Sequence, residues 1–229
     1  MFGRVFFNPN SIPVFSNSRA IPFGHRCTSA LACRFANIRT VALPFDWTIP
    51  SFPSRIKSAL EGNFEHFVPH VENGVFVNKY NIELAHFNPD TTEGIKSYLR
   101  RVDAFNEIMD DYGQSKSFVY INEDYLYDPA YRDEAFMNNL FNEMLELESY
   151  LKVRYPRMEY NILYFDFKAH DIPPDSRIIS IILHAPHLYE TTDGSPYESL
   201  RHFCGGILAE IFETELSLPG YEFSTIFNN

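Results

Sequence analysis

The residues of this chain best suited to covalent chemistry sit in the segment Gly24-His25-Arg26-Cys27. A short helix is expected from Thr28 to about Ala36, with Cys27, Leu31 and Phe35 spaced to lie on one face. That start places the Cys27 thiol at the positive end of the helix, where a thiolate is favoured, and His25 and Arg26 add positive charge beside it. A thiol of lowered pKa is a nucleophile, and a neighbouring histidine serves first as its base and then as general acid. The competing expectation is a core role, because an unpaired cysteine is among the most buried and inert residue types. Cys33 and Cys204 are read as core in that way. Three cysteines form no disulfide framework and favour a reducing compartment.

The elements that must position these groups follow from pattern. Ala20 to Phe23 reads as a strand ended by Gly24, and Pro53 opens a short helix that stops at Gly62. Asn81 to Phe87 alternates as a strand does. Asp90 and Glu93 form a capping-box-like start to a long helix whose apolar residues run from Ile95 to Tyr112, with Gly113 at its end. Lys116 to Asn122 is a buried strand, and a second long helix spans Glu134 to Arg154, stopped by Pro156. The runs Tyr160 to Phe167 and Arg177 to His184 are strands. Ser195, Pro196 and Glu198 open a last helix, within which Gly205-Gly206 allows close packing rather than phosphate binding. Strands alternating with helices imply a three-layer α/β fold, a largely parallel sheet with helices on both faces. Residues 1–229 are read as a single domain, with 1–20 an extended arm.

In open parallel sheets, ligands bind beyond the carboxyl ends of the strands. The polar residues expected there are Gly24 to Cys27, His86 with Asp90, Asn122 with Glu123, Asp166, and His184 with His187. Asp46, in Pro44-Phe45-Asp46-Trp47, is either an acid of the site or a buried carboxylate that fixes a turn, with Trp47 filling the core. His66 and His70 have helical metal-ligand spacing, but Pro69 lies between them. No metal and no cofactor is expected.

The chain of 229 residues carries a formal net charge of −11. Residues 1–60 hold seven Lys/Arg and one acid, about +6, and the remainder carries about −17. Such an anion repels phosphate, which argues against nucleic acid as a partner. No run of 18 apolar residues exists to span a membrane.

The segment I-P-F-G-H-R-C-T-S-A-L-A-C from Ile21, followed by N-I-R-T-V-A-L-P-F-D-W from Asn37, resembles an uncharacterised family of papain-like cysteine peptidases found in bacteria and large DNA viruses. The likeness rests on Gly24, Cys27, Ala30, Ile38-Arg39 and Pro44-Phe45-Asp46-Trp47. His86 ahead of Arg100-Arg101 and Phe105 extends it. It implies a Cys27 nucleophile, a His86 base and Asp46 or Asp90 as the orienting acid. A flavodoxin-like, esterase-type hydrolase is the alternative frame, and it favours His184 or His187 as base.

The resulting expectation is a thiol-dependent hydrolase or acyl transferase acting on a peptide, acyl or glycan group. Gly24, His25, Arg26, Trp47, Glu123, Asp166, His184 and His187 are its candidate substrate-binding residues. The location expected is the cytoplasm of a bacterial or virus-infected cell, or a virion. Two other classes remain open. One is a sugar- or nucleotide-handling transferase that uses Asp166, Asp46 or Glu123 for ligand hydroxyls. The other is a non-catalytic binding or virion-structural module.

Overall fold

A computed structural model describes residues 4–6, 15, 17–67, 70–72, 75–84, 91–126, 129–184 and 196–214. His86, Asp90 and His187 lie outside the described residues.

The main sheet contains β1 (Arg4–Phe6), β2 (Arg19–Pro22), β7 (Lys116–Ile121), β8 (Tyr160–Asp166) and β9 (Ile178–His184), in the order β1-β9-β8-β7-β2. β2, β7, β8 and β9 run parallel, and β1 pairs antiparallel with β9. The expected α/β class therefore holds, and part of the N-terminal arm is an edge strand. A second, antiparallel sheet has the order β3-β6-β5-β4, from β3 (Thr48–Ile49), β4 (His70–Glu72), β5 (Val75–Val77) and β6 (Glu83–Leu84). Of the strand expected over 81–87, the described part, Glu83–Leu84, belongs here and not to the parallel sheet. Its short alternating run pairs locally with β3 and β5, which leaves β7 as the direct neighbour of β2.

Strand periodicity divides the core in two. Phe118 and Tyr120 of β7, with Ile162 and Tyr164 of β8, face one cluster. That cluster is completed by α2 (Pro53–Glu61), α3 (Thr92–Asp110) and α4 (Glu134–Arg154). Val119, Ile121, Leu163 and Phe165 face the opposite cluster, covered by α1 (Thr28–Phe35) and α5 (Pro196–Ile211). Both faces are apolar because both are covered, as expected of a parallel sheet. The first cluster includes Tyr80, Ile82 and Leu84, so the small sheet shares that core.

Local chemistry sets the helix ends. Thr91, rather than Asp90, caps α3, its Oγ1 accepting from Gly94 N at 3.0 Å. Asp133 caps α4 by accepting from Phe136 N at 3.1 Å. Gly205 does what close packing requires: a Cβ there would lie 3.0 Å from Phe35 Cβ and 3.3 Å from Ala32 O, so α5 rests directly on α1. Among the described residues, no helix is long and apolar enough to cross a membrane.

Candidate active site at the carboxyl edge

β2 and β7 are adjacent parallel strands, yet their following helices leave toward opposite faces. α1, after β2, packs in the cluster with Ala32 and Cys33, while α4, after β7, packs in the other with Leu140 and Met144. Diverging connections place the two turns that follow these strands where open α/β sheets bind ligands, with the β2–α1 turn as one wall and the residues after β7 as the other.

Both walls are built from sequence-local turns. Gly24 adopts φ +72°, and a Cβ on it would lie 2.9 Å from Phe45 O. That left-handed residue lets the chain turn from β2 into α1 beneath the 44–51 segment. His25 follows, fully buried against Phe52, with its backbone oxygen accepting from Ser51 N at 3.1 Å. Opposite, the residues Asn122-Glu123-Asp124 leave β7 and point to three different partners. Asn122 Nδ2 donates to Asp166 Oδ1 on β8 at 2.9 Å. Glu123 Oε1 accepts from Arg201 of α5 at 3.3 Å. Asp124 binds His25 Nε2 through Oδ2 and accepts from Arg26 Nε through Oδ1 at 2.7 Å.

Cys27 ends the β2–α1 turn, immediately before α1 and partly exposed, whereas Cys33 and Cys204 are fully buried. Arg201 donates to Cys27 Sγ at 3.3 Å and to Thr28 Oγ1 at 3.1 Å, so one guanidinium ties the thiol to the Glu123 carboxylate. Ser29 Oγ, one residue further, accepts from Ile121 N at 3.2 Å and fastens the first turn of α1 to the end of β7.

The electrostatics correct the expectation of an acidic thiol. Burial pushes the Cys27 thiol above its ordinary value; Arg201 opposes this, Glu123 reinforces it, and Arg26 pulls down more weakly. At Asp124 burial pushes the carboxyl up, but the hydrogen bonds and charges of His25 and Arg26 outweigh it and hold the group below the usual carboxylate range. Cys27 is therefore protonated at neutral pH in the unliganded protein. Its alkylation by iodoacetamide, followed against pH by peptide mass spectrometry, is expected to have a midpoint above the ~8.5 of a free thiol. A midpoint below that value would show that the positive groups dominate after all.

The structure thus brings Gly24, His25, Arg26, Cys27, Glu123 and Asp166 to one edge of the sheet. Asp46 is held elsewhere: it accepts from Leu43 N at 2.9 Å and from Arg39 Nε at 3.0 Å, so its carboxylate closes the 43–46 turn. Burial pushes its pKa up, against the pull of Arg39. Trp47 is half-buried rather than filling the core, its ring centroid 5.8 Å from the Arg39 guanidinium. The His184 backbone ends β9 at the carboxyl edge. No protein-family model matches this chain, and neither does any curated protein or solved structure.

Sequence reasoning missed Arg201, Asp124 and His170. Arg201 lies beside the apolar stripe of α5, and nothing in its spacing ties it to a cysteine 174 residues away. His170 follows Asp166 by four residues, but beyond the end of β8, where helical spacing carries no information.

Proposed function

We propose that the protein is a thiol-dependent hydrolase or acyl transferase with Cys27 as its nucleophile. The observation that carries this reading is the selective placement of one cysteine. Cys27 alone of the three is partly exposed, and it follows β2 at the carboxyl edge of the sheet with a guanidinium on its sulfur. The likeness of Gly24 to Trp47 to the papain-like family points the same way.

In the reaction, the Cys27 sulfur attacks the acyl carbon and a thioester forms as the bond to the leaving group breaks. Water or another acceptor then takes the acyl group and restores the thiol. Because the resting thiol is protonated, its proton must pass to a base as substrate binds; His86, His184 and His187 are the sequence candidates. Arg201 is placed to stabilise the thiolate, since a hydrogen bond to the charged form favours it.

The test is acylation by p-nitrophenyl acetate, with intact mass read alongside nitrophenol release. One acetyl group on Cys27 and a matching burst are expected. Cys27→Ala should lose the burst, with turnover falling at least about 10³-fold, as when a nucleophile is removed. An unchanged burst in Cys27→Ala, or no acetyl adduct on the wild-type protein, would overturn the proposal.

A further inference from the structure

Two strands away from Cys27, the end of β8 carries a second polar assembly that the thiol chemistry does not use. Asp166 is completely buried. Its Oδ1 accepts from Asn122 Nδ2 at 2.9 Å and from its neighbour Phe167 N at 2.8 Å. Its Oδ2 accepts from Tyr164 OH at 3.3 Å and lies 2.6 Å from His170 Nε2. The His170 ring is stacked on Phe141 of α4, with centroids 4.3 Å apart and planes 9° from parallel. Position, tilt and tautomer of the imidazole are therefore all constrained. In the neutral ring that donates its Nε2 proton to Asp166, Nδ1 keeps its lone pair. Among the described residues the hydrogen bond of the ring is made through Nε2 and not through Nδ1. Asn122 Oδ1 is buried without a hydrogen-bond partner among them. A buried polar network held this firmly, yet incomplete, calls for an explanation beyond stability.

His170 also lines a groove of about 560 Å³ between α4 and the 168–171 segment, a size that suits a small ligand. Its lining includes Phe141, whose ring is stacked on His170, and the side chains of Asn138 and Asn142. Charge narrows the ligand class. Lys168 Nζ is engaged 2.6 Å from Glu134 Oε1 and 2.9 Å from Asn138 Oδ1. Asp171 leaves the lining net negative, which disfavours a carboxylate or phosphate.

We propose that this groove is a binding site for an uncharged, hydroxyl-rich ligand, a small saccharide or polyol, one of whose hydroxyls donates to His170 Nδ1. Asp166 is the positioning residue, because it fixes the tautomer that leaves Nδ1 free to accept. The site is separate from Cys27 and does not depend on the acyl-transfer reading.

The experiment uses the full chain with ¹⁵N-labelled histidine. Long-range ¹H–¹⁵N spectra near pH 7 are recorded with glucose, maltose or inorganic phosphate at roughly 50 mM, well above a millimolar-class Kd. The expected result is an Nε2–H tautomer at His170, with a saturable shift of its Nδ1 resonance on adding glucose or maltose. Phosphate should leave it unmoved, as should the exposed His66 under every addition. Asn138→Ala, a change on the groove wall that spares the buried network, should weaken the response about 5-fold, and Cys27→Ala should not affect it. An Nδ1–H tautomer, a response to phosphate alone, or no saturable response to either sugar would overturn the proposal.

Discussion

Arg201→Met is expected to destabilise the protein by about 3 kcal/mol, because removing one partner of a buried ion pair leaves the charge of the other less compensated. Glu123 has no exposed side-chain surface, whereas Arg201 retains about a fifth of its own, which places the cost at the lower end for such pairs. Methionine keeps most of the side-chain bulk, so the loss reports charge and hydrogen bonding rather than a cavity. The same change removes the guanidinium that opposes burial at Cys27, so the iodoacetamide midpoint should rise above that of the wild-type protein. Urea unfolding and the labelling profile check the two effects separately. A variant as stable as wild type, with an unmoved midpoint, would show that Arg201 holds neither the carboxylate nor the thiol. Arg201→Lys should fall between them, since an ammonium keeps the charge but cannot span Thr28, Cys27 and Glu123 as the planar fork does.

Gly24→Val is expected to cost about 4 kcal/mol, combining left-handed backbone strain with overpacking. The φ of +72° disfavours any L side chain, and a Cβ would press to 2.9 Å on the backbone oxygen of Phe45, which no rotamer change can relieve. The β2–α1 turn must therefore move, and the partnership of His25 and Arg26 with Asp124 moves with it. Urea unfolding should show the loss, and Cys27 should label faster at neutral pH as the packing around it loosens. A stability loss under 1 kcal/mol would mean that the 44–51 segment yields easily and does not fix the site.

Much of the fold was legible because it is written in local pattern. The apolar runs from Tyr160 and Arg177 could only be covered strands, and the helical spacing from Glu134 to Arg154, closed by Pro156, set α4 at those same bounds. Cap chemistry was less decisive. Thr91 and Asp90 are both competent caps one residue apart, and the choice depends on which backbone N–H each side chain reaches. The segment 81–87 misled for a related reason. Alternation reports a half-buried strand but not its partner, and β6 found β3 and β5 rather than β2.

For the site, the sequence alone determined the β–turn–α start around Gly24 and Cys27, and the polar residues that end β7 and β8. Those follow from rules reaching no further than a turn or a strand. Only the tertiary structure decided which groups meet: Arg201 on Cys27 and Glu123, Asp124 with His25 and Arg26, His170 with Asp166. It also reversed the direction of the Cys27 pKa. Sequence shows the helix end and the nearby arginine, which favour a thiolate. It does not show the desolvation that outweighs them, because burial is set by chain segments far apart in sequence folding over the same sulfur.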